Sequence, residues 1–175
     1  MTNQRTSAAA IQLLVLDVDG VLTDGRLYYG ARGEVMKVFD VKDGLGMQQL
    51  AAAGVTLAII SGRRSPAVVR RARDLGVRHV FQGVDDKLAV FERLRKRLGF
   101  EAVECACVGD DLPDVAMMQT AGLAFAVCDA HMSALRVADV VTSKPGGRGA
   151  VREVCDVLMV ARHHDAGSAR KATRK

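Results

Sequence analysis

No apolar stretch in this 175-residue chain is long enough to cross a bilayer, which predicts no membrane partner. The opening Met1-Thr2-Asn3-Gln4-Arg5-Thr6-Ser7 lacks the apolar core of a signal sequence. It predicts a cytoplasmic protein with a flexible start over residues 1–10. The four cysteines, Cys105, Cys107, Cys128 and Cys155, show no CxxC spacing. The first three sit inside apolar runs and Cys155 on an apolar helical face, so buried reduced thiols are expected rather than disulfides or zinc ligands. No GxxxxGK[ST] stretch is present, which disfavours a P-loop nucleotide enzyme. His79, His131, His163 and His164 have no metal-ligand spacing. The net charge of +5 is concentrated near the end, where Arg162, Arg170, Lys171, Arg174 and Lys175 face Asp165 alone. That segment, residues 162–175, has no aromatic residue on which a base would stack. It reads as a solvated basic tail, with no nucleic-acid partner.

What remains, residues 11–161, reads as one domain organised around Leu13-Leu14-Val15-Leu16-Asp17-Val18-Asp19-Gly20-Val21-Leu22-Thr23-Asp24. Four apolar residues predict a buried parallel strand, and two carboxylates follow at a spacing of two. The strand period sends Asp17 and Asp19 to the same side of the crevice that opens at strand carboxyl ends. An Asp-rich turn that merely ends a strand is the bland alternative. Arg26–Tyr29 and Val35–Asp40 then predict the arms of a hairpin closed by Gly30-Ala31-Arg32-Gly33. Asp43-Gly44 is expected to open a helix that stops near Gly54. Further strands are expected at Val55–Ile60, Val77–Phe81, Cys105–Val108, Leu123–Val127 and Val137–Val141. The helices between them start near Pro66, at Lys87, after Asp111 and near Ser133, and a last one spans Ala150–Ala161. This alternation predicts an α/β doubly wound parallel sheet with a small β-hairpin flap.

Four strand ends then carry polar groups: Asp17 and Asp19, Ser61-Gly62-Arg63, the turn before Lys87, and Asp110, Asp111 and Asp114. Carboxylates from two strands suit a hard divalent cation such as Mg2+. A hydroxyl, loop amides and a lysine suit phosphoryl oxygens. Each residue also has a plain structural use: Lys87 as a solvated first-turn lysine, Ser61 as a helix cap, Asp114 as a first-turn acid.

Asp17-Val18-Asp19-Gly20 with Val21, Thr23 and Asp24 resembles the DxDGxxTD signature of the haloacid dehalogenase (HAD) superfamily of phosphatases. Ser61, Lys87 and Gly109-Asp110-Asp111 with Asp114 resemble its later motifs, in order, over nearly the whole chain. The resemblance implies that Asp17 is the nucleophile and Asp19 the general acid and base. It implies that Asp17, Asp110 and the backbone carbonyl of Asp19 hold magnesium, and that Ser61 and Lys87 bind the phosphoryl group. Asp111 and Asp114 both fit a supporting role. Enzymes of this superfamily usually insert a cap domain after the first or second motif. Here 44 positions separate Asp17 from Ser61 and 26 separate Ser61 from Lys87, which leaves no room for one.

Val38-Phe39-Asp40-Val41-Lys42-Asp43-Gly44-Leu45-Gly46, Ile59-Ile60-Ser61-Gly62-Arg63, Val108-Gly109-Asp110-Asp111-Leu112-Pro113-Asp114 and Gly146-Gly147-Arg148-Gly149 narrow the resemblance to the 3-deoxy-D-manno-octulosonate 8-phosphate phosphatases. That family implies a capless, magnesium-dependent homotetramer in lipopolysaccharide biosynthesis, its hairpins at the tetramer centre and a neighbouring subunit closing each site. It implies sugar-acid contacts from Asp19, Phe39, Asp43, Ser61, Gly62, Arg63, Arg71 and Lys87, with Arg148 folding over the site. A phosphatase of nine-carbon, sialic-type acid phosphates and a non-catalytic oligomerisation module are the alternatives.

Overall fold

The computed structural model describes residues 8–172, with side chains through His164. The expectation of a loose start therefore lies outside the described residues for positions 1–7. Ala8–Ala10 form a single 3-10 turn.

Six strands form one parallel sheet: β1 (Leu13–Leu16), β4 (Thr56–Ser61), β5 (His79–Gln82), β6 (Cys105–Gly109), β7 (Leu123–Ala126) and β8 (Val140–Val141). Their spatial order is β5-β4-β1-β6-β7-β8, with β1 at the centre between β4 and β6. The helices are α1 (Val41–Ala52), α2 (Pro66–Asp74), α3 (Lys87–Leu98), α4 (Leu112–Thr120), α5 (Met132–Leu135) and α6 (Ala150–Ala172). The strand period of two divides the core into two layers. Leu14, Leu16, Leu57 and Ile59 pack with Met47 and Leu50 of α1, Val68 of α2 and Val154 and Leu158 of α6. Leu13, Val15, Ala58 and Ile60 face the other way, onto Phe91 and Leu94 of α3 and Met117 and Met118 of α4. The chain winds outward to β5, crosses beneath the sheet through α3, and resumes at β6. The carboxyl ends of β1, β4 and β6 therefore meet where the winding reverses, the place where open α/β sheets bind ligands.

The second sheet is the expected hairpin, β2 (Tyr28–Gly30) with β3 (Gly33–Met36), inserted between β1 and α1. Its second arm is shorter than expected, because Asp40 ends the extended segment by capping α1: its carboxylate accepts from the Lys42 amide at 2.6 Å. The helix accordingly starts at Val41 rather than at Asp43. The expected strand Val137–Val141 is reduced to Val140–Val141, since the amides of Val137 and Ala138 both donate to Ala134 and extend the turn of α5. Cys105, Cys107 and Cys155 are buried free thiols, as expected; Cys128 is exposed, because β7 ends at Ala126 and the chain turns there.

The boundary at Ala161 is also corrected. Helix α6 continues to Ala172, and Arg162 donates to the carbonyls of Ile11 at 2.8 Å and Ala53 at 3.2 Å. Arg162 thus ties the last helix to the start of β1. The side chains of Arg170, Lys171, Arg174 and Lys175 lie outside the described residues. No helix among the described residues is long and apolar enough to cross a membrane.

Candidate active site

Asp17 follows β1 directly, its amide still on the ladder to Val108 at 3.2 Å. It shares the face of Leu13 and Val15, which points it toward α3 and α4. Helix α3 is capped by Asp86, whose carboxylate accepts from the Ala89 amide, and begins at Lys87. The Lys87 ammonium lies 2.9 Å from Asp17 Oδ1 and 2.7 Å from Asp114 Oδ1. All three side chains are buried. A lysine at this depth keeps its charge only when paired, so the alternative of a solvated first-turn lysine does not hold for Lys87.

Asp114 completes this arrangement from inside α4. Its Oδ2 accepts from the amides of Asp110 at 3.1 Å and Asp111 at 3.3 Å, which fixes the turn after β6. Asp111 is exposed and accepts from the Leu112 amide as the cap of α4. The two differ in position: Asp114 bonds the Lys87 ammonium, and Asp111 caps α4.

The electrostatics follow from this crowding. Burial, with the charge of Asp114 next, raises the Asp17 carboxyl to about 6 despite Lys87. Burial and the charges of Asp17 and Asp114 push Asp110 up to about 8. Lys87 loses hydration by burial, but Asp17 and Asp114 outweigh that loss and raise its pKa. Carboxylate oxygens of Asp17, Asp110 and Asp114 lie within 4.8 Å of one another. Fully ionised, three carboxylates against one ammonium carry two net negative charges, the charge a divalent cation would neutralise. Both oxygens of Asp114 are committed to protein donors, so Asp17 and Asp110 are the carboxylates open to it. Glycine at position 20, with φ +99°, leaves space for this: a Cβ there would stand 2.1 Å from Asp110 Oδ2.

The cleft above these groups is open, about 420 Å³, and lined by Asp17, Asp19, Ser61, Gly62, Arg63, Val84, Asp85, Lys87, Asp110, Asp111, Pro113 and Asp114. Ser61 ends β4, buried, with its hydroxyl accepting from the Arg63 amide at 3.4 Å. Thr23 and Asp24 shape the loop rather than the cleft: Thr23 Oγ1 donates to the Val18 carbonyl, and Asp24 accepts from the Arg26 amide.

Three of the expected sugar-acid contacts, Phe39, Asp43 and Arg71, lie elsewhere in the chain, as does Arg148, the residue expected to fold over the site. Asp43 is buried and caps α6, accepting from the Arg152 amide at 2.7 Å. Arg71 spans toward α1, donating to the Asp40 carbonyl at 3.2 Å with its guanidinium 6.0 Å from the centre of the Phe39 ring. Phe39, Asp43 and Arg71 line a separate small cavity of about 10 Å³. Arg148 borders a groove along α6 with Lys144 and Arg152. None of these four lines the cleft of Asp17.

The flap supplies groups that sequence reasoning missed. Lys37 pairs with Asp19 Oδ1 and lies 3.3 Å from Glu34. Glu34 in turn accepts from Ser65 Oγ at 2.7 Å and Arg63 at 3.3 Å, and Arg63 also donates to the Tyr29 hydroxyl at 2.8 Å. Apart from the pair of Lys37 with Glu34, these contacts span 18 to 34 positions of chain, a separation no local pattern marks.

Known proteins carry the same arrangement of sequence. A sequence model of the haloacid dehalogenase-like hydrolases matches residues 39–122, which include Ser61, Lys87, Asp110 and Asp114 but not Asp17 or Asp19. The 3-deoxy-D-manno-octulosonate 8-phosphate phosphatase of Salmonella typhi is 46% identical over 160 residues, 91% of this chain and 85% of the relative. That of Escherichia coli K12 is 47% identical over 154 residues, 88% and 82% of the two chains. The crystal structure of the Moraxella catarrhalis phosphatase of that name, with a magnesium ion, a phosphate ion and a KDO molecule, superposes with a TM-score of 0.88 at 44% identity, covering 97% of this chain and 96% of that one. A cobalt-bound Haemophilus influenzae enzyme of the same description gives 0.88 at 40% identity over 90% and 92%. With this fold, this cleft and relatives of this identity over nearly its whole length, the chain belongs to the 3-deoxy-D-manno-octulosonate 8-phosphate phosphatase family of haloacid dehalogenase-like hydrolases.

Proposed function

We propose that this chain is a magnesium-dependent phosphatase that releases phosphate from 3-deoxy-D-manno-octulosonate 8-phosphate, a step of lipopolysaccharide biosynthesis in the cytoplasm. The observation that carries the reading is the convergence of Asp17, Asp110 and Asp114 on Lys87 at the point where the sheet reverses. Asp17 attacks phosphorus while the bond to the sugar oxygen breaks, and Asp19 gives that oxygen its proton. Asp19 then takes a proton from water as the water attacks the phosphorus of the aspartyl phosphate. This frees inorganic phosphate and restores the Asp17 carboxylate. Ser61, the Gly62 backbone and Lys87 hold the phosphoryl oxygens, and Asp114 keeps Lys87 aimed. Asp17, Asp110 and the backbone carbonyl of Asp19 would hold magnesium. When bound, it supplies the positive charge that offsets repulsion between an anionic carboxylate and a phosphate.

The sugar acid brings a carboxylate of its own, and Arg63 at the cleft edge is the cation that meets it. The open cleft has no cap, so exclusion of water falls to the flap and to a neighbouring subunit of a homotetramer. Leu27, Tyr29, Val35, Met36, Val38 and Val41 give the flap an exposed apolar surface for that contact.

The test is phosphate release, with and without magnesium, from octulosonate 8-phosphate, a nonulosonate 9-phosphate and hexose phosphates. Magnesium-dependent preference for the eight-carbon acid is expected, with chelation removing the activity. Preference for the nine-carbon acid moves the pathway and keeps the chemistry. A folded chain that turns over none of them is the oligomerisation module.

A further inference from the structure

Lys37 is not among the residues that carry the resemblance and lies outside the matched residues 39–122, yet its side chain is the more deeply enclosed member of the pair it makes with Asp19: 1% exposed against 17%. A buried ammonium with two carboxylate neighbours, Asp19 and Glu34, is a costly arrangement to keep on a short hairpin. The result is an asymmetric Asp19. Oδ1 is held by Lys37, whereas Oδ2 is buried without a hydrogen-bond partner, 3.9 Å from Arg63 Nε, which also lacks one. Glu34 extends the link, joining Lys37 to Ser65 and Arg63 at the start of α2. The flap is thereby fastened to the carboxylate at the cleft edge from both sides.

Resting on the phosphatase reading above, we infer that Lys37 is a positioning residue for proton transfer: it fixes Oδ1 of Asp19, so that Oδ2 exchanges the proton with the leaving oxygen. Glu34 holds Lys37 in place. The flap thus does more than shield the cleft, because it sets the orientation of the acid. Its chemistry is specific to substrates that need a proton on departure. A sugar alkoxide does, and a 4-nitrophenolate leaves as a stable anion without one.

The experiment compares kcat/KM, which reports the steps up to phosphoryl transfer, for octulosonate 8-phosphate and 4-nitrophenyl phosphate. In Lys37→Met the ratio of sugar phosphate to aryl phosphate is expected to fall about tenfold or more, within the range that general acid catalysis contributes. Lys37→Arg, which keeps the charge, is expected to recover most of the ratio. Glu34→Gln is expected to shift the ratio in the same direction, about threefold, and decides the matter if Lys37→Met does not fold. An unchanged ratio, with both rates falling together or neither falling, assigns Lys37 to structure alone and overturns the inference. A wild-type chain that hydrolyses neither ester overturns the phosphatase reading along with it.

Discussion

Lys87 shows why a first-turn lysine can be indispensable. Between Asp17 and Asp114 it is the one ammonium within bonding distance of either carboxylate among the described residues. Lys87→Met leaves both buried carboxylates uncompensated and is expected to cost about 3–5 kcal/mol, with turnover lost. Urea unfolding checks the first and phosphate release the second; a variant as stable as the wild type contradicts the pairing. Asp43 is the opposite case, a buried carboxylate with no cation bonded to it. Burial raises its pKa above 3.8, and Oδ2 has no hydrogen-bond partner. Folding therefore takes up a proton at Asp43 between 3.8 and its raised pKa. The cost of the charged form grows as pH rises through that window and is complete above it. Asp43→Asn can still accept from the Arg152 amide but carries no charge. Its stability relative to the wild type is expected to improve as pH rises from 3.8. A difference that stays flat, or runs the other way, contradicts the assignment.

The elements were legible wherever one periodicity governed them. The strands β1, β4, β6 and β7 sit in apolar runs because both faces are covered, and α3 matches its expected Lys87–Leu98 span because Asp86 caps it and Gly99 ends it. The four polar strand ends were legible for the same reason, since a right-handed winding brings them to one edge. What the sequence concealed depends on contacts between distant segments. The pairing of Lys37 with Asp19 and the use of Asp43 as a cap for α6, across 109 positions, leave no local signature. The glycine loop is a further example: Gly146 donates to Asp129, and a Cβ there would stand 1.7 Å from the Gly20 carbonyl oxygen. Backbone cannot yield as a side chain can. Gly146→Ala is therefore expected to displace the loop that carries Asp19 and Gly20, costing about 1–3 kcal/mol, a drop of several degrees in Tm. Calorimetry showing an unchanged Tm contradicts that contact.

The whole molecule joins the buried cluster of Asp17, Lys87 and Asp114 to a flap that exposes Leu27, Tyr29, Val35, Met36 and Val38. Tyr29 illustrates the division, its hydroxyl taken by Arg63 while 60% of the residue stays exposed. A homotetramer in light scattering is expected, and Val35→Glu on the exposed flap is expected to break it and weaken turnover of the sugar acid. A wild-type monomer at working concentration contradicts the shared closure of the site. The proposed chemistry rests on Asp17, and Asp17→Asn tests it most directly because it removes the proposed nucleophile at nearly constant volume. Turnover of octulosonate 8-phosphate is expected to fall at least a thousandfold in a variant that remains folded. Sustained hydrolysis by folded Asp17→Asn would place the nucleophile elsewhere and contradict the account.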